Sequence, residues 1–222
     1  MTIKAVLFDM DGVLVDSERV ITEAGRRALR EWGIEAAAED FHEFTGMGED
    51  RFIGGVAEKH GVPYVLDMKR RTYEIYLEIV DDNITRYPAA VPTLEMLRDA
   101  GLRLVLASAA DRVKVDANLR AAGIDPTLFC TILSGDDVVN KKPAPDIYLL
   151  AASKAGCQPE VCVVVEDALS GLQAAQAAGM RCICVTTAFS EDVLRANGAD
   201  YICPDIGGVP DGLAVNGKRT QP

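Results

Sequence analysis

The stretch Ile3-Lys4-Ala5-Val6-Leu7-Phe8-Asp9-Met10-Asp11-Gly12 decides how the rest of the chain is read. An apolar run ends in two carboxylates one residue apart and then a glycine. That is the pattern of a buried strand delivering Asp9 and Asp11 at its C-terminal end. Open α/β sheets keep their ligands at that edge, so the acid pair is a candidate for chemistry.

After a turn through Gly12, Asp16 or Ser17 can cap a helix with Ile21, Ala24, Ala28, Leu29 and Trp32 on one face, stopped by Gly33. From there to about residue 85 no strand pattern occurs. Segments around 39–45, 49–60 and 65–80 read as helices, separated by Gly46-Met47-Gly48 and Gly61-Val62-Pro63. Beyond Pro88 and Pro92 the pattern changes. Apolar runs at Leu102–Ala107, Thr131–Leu133, Val161–Val165 and Arg181–Val185 alternate with helical stretches, several ending at glycine (Gly101, Gly123, Gly179), and a short helix and strand reach Cys203. This alternation predicts an α/β fold with a doubly wound parallel sheet. The expected division is a core of residues 1–15 and 86–206, an inserted helical unit at 16–85, and a Gly/Asp/Asn-rich flexible tail or linker at 207–222.

With 222 residues, 49% of them apolar, the chain can bury a full core. It has no apolar run long enough to span a membrane. The N-terminus lacks a basic region followed by a cleavable apolar stretch, so a soluble, unsecreted protein is expected, either cytoplasmic or trimmed of an organellar transit segment. A net charge of −11 argues against nucleic-acid partners; a small anion would need local attraction from a metal or a lysine. The six cysteines (130, 157, 162, 182, 184 and 203) contain no CxxC spacing and read as buried thiols of a reducing compartment.

Four polar clusters fall after strands or in strand-to-helix loops: Asp9-x-Asp11, Ser108-Ala109, Lys142, and Glu166-Asp167. In a parallel sheet these positions converge on one edge. Carboxylates 9, 11, 166 and 167 would crowd there unless a cation joins them, and hard oxygen ligands without histidine favour Mg²⁺. A metal and a lysine among acids suit phosphoryl chemistry. Asp9 could attack phosphorus, and Asp11 could protonate the leaving oxygen and later deprotonate water. Ser108, aided by backbone N–H groups at the next helix start, could grip a phosphoryl oxygen, while Lys142 balances charge.

At this point the sequence resembles the haloacid dehalogenase-like hydrolases. The DxDG loop, the Ser after the second core strand, the Lys and the late acidic pair match that family's four motifs in order and spacing. The strings DMDGVLVDSE, LASAADRVKVDANL, KKPAPDIYLLAA and VVEDALSGLQAAQAAGM are similar to the β-phosphoglucomutase and CbbY-like subgroup, and to the corresponding domain at the front of chloroplast suppressor-of-quenching proteins. The resemblance covers about residues 3–203, including TGMGEDRFIGGVA. It implies a Rossmann-like core, an α-helical cap and Mg²⁺ held by the side chains of Asp9 and Asp167, the carbonyl of Asp11, and Glu166 directly or through water. It also implies that the cap loop, with Gly46 and Glu49, meets the substrate.

The departures count too. By alignment, the mutase's early cap histidine, phosphate-gripping arginine and later cap lysine fall on Ile21, Glu49 and roughly Thr72 here. Glu49 puts negative charge where a mutase's second phosphate would sit. The expected function is therefore a Mg²⁺-dependent phosphomonoester hydrolase acting on a small phosphorylated metabolite, such as a sugar phosphate, through an aspartyl-phosphate. A β-phosphoglucomutase-type phosphomutase, or a weakly active docking domain of a larger chloroplast protein in the stroma, are the alternatives. Gly212 to Arg219 nearly spells a nucleotide-binding loop but lacks its Ser/Thr, and His42 and His60 read as surface or satisfied residues.

Overall fold

The structure is a computed structural model that describes residues 2–45 and 47–214. Its centre is β1 (Ala5–Phe8), hydrogen-bonded in parallel to β4 (Arg103–Ala107) on one side and β6 (Cys162–Glu166) on the other. β5 (Thr131–Leu133), β7 (Arg181–Val185) and β8 (Tyr201–Cys203) complete a six-stranded parallel sheet in the order β5-β4-β1-β6-β7-β8. The chain has the Rossmann-like doubly wound architecture.

Strand alternation sorts the apolar residues to the two faces. Val6 and Phe8 pack with Leu104, Leu106, Val163 and Val165 under α4 (Ala90–Asp99) and α5 (Arg112–Ala121). Ala5 and Leu7 point the other way, joining Val105, Ala107 and Val164 under α6 (Asp146–Lys154) and α7 (Leu169–Ala177). Both faces are covered, which is why β1, β4 and β6 read as continuous apolar runs.

The inserted stretch folds as α1 (Glu18–Arg30), a 3₁₀ segment Ala38–Phe44, α2 (Glu49–Lys59) and α3 (Leu66–Asn83) around their own core of Ala24, Leu29, Phe41, Ile53, Met68 and Tyr76. It enters and leaves through a two-stranded antiparallel ribbon, β2 (Val15–Asp16) with β3 (Thr85–Arg86), which sequence patterning did not anticipate. The insertion rests on the sheet unit through ion pairs, Lys69 with Asp111 at 2.9 Å and Asp81 with Arg120 at 2.5 Å.

Two expectations change. The stretch from 207 is not a loose tail as far as 214: after α8 (Glu191–Ala196) and β8, Ile206–Gly208 forms a 3₁₀ turn and Val209–Ala214 a short helix, α9, with Val209 fully buried. At Gly212 a Cβ would lie 2.6 Å from the Tyr201 ring, so α9 packs directly on β8. Residues 215–222, and with them most of the near-Walker string, lie outside the described residues. Cys130 is exposed and Cys157 half-buried, whereas the other four thiols are buried as expected; Cys182 and Cys184 share a face with Sγ atoms 3.7 Å apart.

Candidate active site

β1 ends by donating the Asp9 amide to Val165 O at 3.0 Å, which carries the Asp9 side chain just past the sheet edge. There the Lys142 ammonium, from the loop after β5, donates to Asp9 Oδ1 at 2.5 Å, Glu166 Oε1 at 2.7 Å and the Ala107 carbonyl at 3.2 Å. Lys142 is buried, and burial opposes its charge. Asp9 and Glu166 overcome that and hold the ammonium above the usual lysine range.

Glu166, the last residue of β6, has both oxygens engaged. Oε1 also accepts from the Tyr148 hydroxyl at 2.7 Å, and Oε2 accepts from the amides of Asp167 at 3.0 Å and Ala168 at 3.2 Å. Gly171, in the first turn of α7, makes room for it: a Cβ there would lie 1.7 Å from Glu166 Oε1. Asp167 presses against the turn at Gly12, where φ is +77° and a Cβ would meet Asp167 Oδ2 at 1.7 Å, so only glycine serves. Thr187, after β7, donates its hydroxyl to the Gly12 carbonyl at 2.7 Å.

Carboxylate oxygens of Asp9, Glu166 and Asp167 lie within 4.8 Å of one another. Burial first, then the charges of Glu166 and Asp11, push the Asp9 carboxyl up to about 7 against the pull of Lys142. Burial, then the charges of Glu166, Asp9 and Asp11, also hold the Asp167 carboxyl well above the carboxylate range. Three hard oxygen donors repelling one another in a buried cluster fit a divalent cation such as Mg²⁺. Asp9 and Asp167 have oxygens to spare for it, whereas Glu166 already accepts four hydrogen bonds and suits an outer role.

Asp11 does not join that cluster. Its Oδ1 accepts from the Ser17 hydroxyl and from Asn118 Nδ2 at 3.2 Å, and its Oδ2 accepts from Lys114 Nζ at 2.8 Å. Ser17 therefore sits at the N-cap of α1 but spends its hydroxyl on Asp11 rather than on a cap bond. Lys114 is also 3.4 Å from Glu49 Oε1, at the start of α2. Glu49 is only 5% exposed, and its Oε2 is buried without a partner. Burial raises the Glu49 carboxyl while Lys114 opposes the shift.

Ser108 is fully buried, and its Oγ accepts from the Ala110 amide at 3.1 Å, leaving its proton free to donate. Ser108, Ala109, Asp9, Asp11, Lys142, Glu166 and Asp167 line one side of a cavity of about 360 Å³; Ile21, His42, Thr45 and Glu49 line the other. Thr72, also buried, is absent from that lining and donates to Met68 O at 2.8 Å. Gly46 lies outside the described residues. Sequence reasoning passed over Lys114, Asn118, Tyr148 and Thr187. Only the i, i+4 spacing of Lys114 and Asn118 on the face of α5 that carries Val115 could have flagged the first two.

A sheet-edge acid cluster with a buried lysine, beneath an inserted helical unit, defines a hydrolase of the haloacid dehalogenase type. Residues 3–179 match the family model for haloacid dehalogenase-like hydrolase, and the chain belongs to that family of enzymes. It is 46% identical over 211 residues to the protein SUPPRESSOR OF QUENCHING 1, chloroplastic, of Arabidopsis thaliana, covering 93% of this chain but only 20% of that much longer one. It is 33% identical over 187 residues to the phosphorylated carbohydrates phosphatase of Thermotoga maritima, covering 80% and 82% of the two chains. A Rhodobacter sphaeroides CbbY mutant solved with xylulose-(1,5)bisphosphate superposes with TM-score 0.84 at 30% identity, covering 96% of this chain and 99% of that one. Among the described residues, no helix is long and apolar enough to cross a membrane.

Proposed function

We propose that this enzyme is a Mg²⁺-dependent phosphomonoester hydrolase that forms an aspartyl-phosphate on Asp9 and acts on a small sugar phosphate. The observation that carries the reading is Lys142, clamped between Asp9 Oδ1 at 2.5 Å and Glu166 Oε1 at 2.7 Å on the wall of the cavity. A fixed cation beside a carboxylate lets that carboxylate approach an anionic phosphoryl group.

Ser108 and the amides leading into α5 hold the phosphoryl oxygens, and Lys142 balances their charge. An Asp9 oxygen bonds to phosphorus as the bond to the substrate oxygen breaks, and Asp11 gives that oxygen a proton. Asp11 must exchange its contact with Lys114 for the leaving oxygen to do so. The carboxylate of Asp11 then takes a proton from water, whose oxygen attacks phosphorus and frees Asp9 and inorganic phosphate. A bound Mg²⁺, held by Asp9 and Asp167 with the Asp11 carbonyl and Glu166 in support, would supply charge neutralisation on the transferring group.

A cavity of about 360 Å³ suits a small metabolite, and the phosphorylated carbohydrates phosphatase among the relatives supports a sugar phosphate. The inserted helices at 16–85 act as a cap over a core of 1–15 and 86–206, with Gly46 and Glu49 selecting the substrate. Glu49 on the cap side of the cavity weighs against the phosphomutase reading. Similarity to a fifth of a protein described as chloroplastic supports a chloroplast location as the alternative to a cytoplasmic one, and a place beside other domains in a longer chain. Phosphate release from a metabolite panel, with and without Mg²⁺, in wild type and Asp9→Asn, tests the proposal. Turnover that needs Mg²⁺ and Asp9 is expected; activity surviving Asp9→Asn would overturn it.

A further inference from the structure

Asp11 is held unequally at its two oxygens. Lys114, the single partner of Oδ2 among the described residues, also reaches Glu49 and must give way before that oxygen can meet a leaving group. Oδ1 accepts from two groups, the Ser17 hydroxyl and Asn118 Nδ2 at 3.2 Å. It is the anchored oxygen, and its anchor fixes where Oδ2 points. Oδ1 accepts whether or not Oδ2 carries a proton, so the same contacts serve both halves of the reaction.

The Asn118 end of that anchor depends on which way its amide is turned. Asn118 lies in α5, is fully buried, and has different surroundings at its two ends. Nδ2 meets acceptors only, Asp11 Oδ1 and Met10 Sδ at 3.4 Å. Turned over, the amide would set its oxygen against a carboxylate and a sulfur and hold neither. Asn118 Oδ1 accepts from the hydroxyl of Tyr76, which belongs to α3 of the inserted unit and is also fully buried. Burial pushes the Tyr76 hydroxyl well above the usual tyrosine range, so its proton stays in place to donate. Ala117, beside Asn118, packs in the apolar core of the inserted unit, which brings α5 and α3 into contact here. Neither Tyr76 nor Asn118 lines the cavity, so the pair reaches Asp11 through the protein rather than across the substrate space.

We infer that Tyr76 is a positioning residue for the proton-handling step: its hydroxyl fixes the Asn118 amide, whose Nδ2 anchors Asp11 Oδ1 and so aims Oδ2 at the leaving oxygen. The inference rests on the phosphohydrolase reading, in which Asp11 is acid and then base, and adds to it a residue that acts on Asp11 only through another. Without the phenol hydroxyl, the Asn118 oxygen is left buried and unpaired, and nothing at that end opposes a turn of the amide away from Asp11.

Tyr76→Phe keeps the ring and removes the donor. Its kcat is compared with wild type on phenyl phosphate, whose leaving oxygen takes a proton, and on p-nitrophenyl phosphate, whose leaving oxygen needs none. The expected loss on phenyl phosphate is on the order of tenfold and at least about threefold larger than on p-nitrophenyl phosphate, with KM and the calorimetric affinity for Mg²⁺ unchanged. In an Asn118→Ala background the same substitution should add no further loss, because it acts through that amide. Equal losses on the two esters, or an undiminished loss in the Asn118→Ala background, overturn the inference and leave the hydrolase standing. Urea denaturation in chelator gives a second arm that is free of turnover. Combining Tyr76→Phe with Asp11→Ala should change the unfolding constant at least about threefold less than the product of the two separate changes. Separate changes that simply multiply overturn the inference. Coupling in a protein whose wild type releases phosphate from neither ester would instead overturn the hydrolase reading alone, with Tyr76 still fixing Asp11 through Asn118.

Discussion

Replacing the proposed nucleophile should make the metal-free protein more stable. The Asp9 carboxyl is carried from 3.8 to about 7 by burial and by Glu166 and Asp11, despite Lys142. Between those values the folded protein binds a proton that the unfolded chain releases, so stability falls as pH rises through the window and the full penalty is present above it. At about 1.4 kcal/mol for each tenfold change, ionised Asp9 costs the fold roughly 4 kcal/mol. Asn has the shape of the neutral acid and can still accept from Lys142, so Asp9→Asn escapes that cost. For a chain of this size the gain corresponds to a Tm increase on the order of 10 °C. Thermal denaturation in chelator should therefore show the variant above wild type at about pH 8, with the difference closing near pH 4. Saturating Mg²⁺ binds the folded wild type and should shrink or invert the gap, by about 2.7 kcal/mol at 100-fold excess over its Kd. An Asp9→Asn protein less stable than wild type in chelator at the higher pH would refute the claim that the acid cluster is under electrostatic stress.

Three other perturbations follow from the same geometry. Gly171→Ala drives a methyl to 1.7 Å from Glu166 Oε1, so Glu166 or α7 must move; urea denaturation should show a loss of about 2 kcal/mol or more, and kcat should fall at least about tenfold. Tyr148→Phe deletes one of four donors to Glu166 and should cost roughly 1.5 kcal/mol of stability while lowering kcat only severalfold, since Lys142 remains. Lys114→Met removes the side chain that holds Asp11 Oδ2 in place, so the misplaced acid should lower turnover of alkyl phosphates, whose leaving oxygen needs a proton, more than turnover of p-nitrophenyl phosphate; equal losses on both would assign Lys114 a packing role only.

The parts of this molecule legible in the sequence are those with a dense local signal. β1 could be read because a strand buried on both faces is apolar throughout and ends abruptly at Asp9. The convergence of Asp9, Ser108, Lys142, Glu166 and Asp167 on one cavity follows from parallel strands whose C-termini share an edge. The β2–β3 ribbon escaped notice because two residues carry no periodicity, and its pairing joins positions about 70 apart, Val15 with Arg86 and Asp16 with Thr85. Lys114 was hidden because a lysine within a helix ordinarily faces water; only the tertiary position of Asp11 and Glu49 gives it reason to be buried. Ser17 looked like a cap because that is the commonest use of serine at a helix start, and Asp11 competed successfully for its hydroxyl. Helix α9 was masked by glycine and aspartate, and its order comes from contacts of Val209 and Gly212 that no local rule contains.

In the proposed mechanism phosphate passes through the Asp9 side chain. In the Asp11→Asn variant the step that needs a base should stall, and an acyl phosphate on Asp9 should accumulate with Mg²⁺ and p-nitrophenyl phosphate, whose leaving oxygen needs no proton from Asp11. Borohydride reduces an acyl phosphate to the alcohol, so peptide mass spectrometry of the quenched protein should find homoserine at position 9 and aspartate at that position when substrate is withheld. Aspartate at position 9 in both samples, while the wild type releases phosphate, would rule out an aspartyl-phosphate on Asp9.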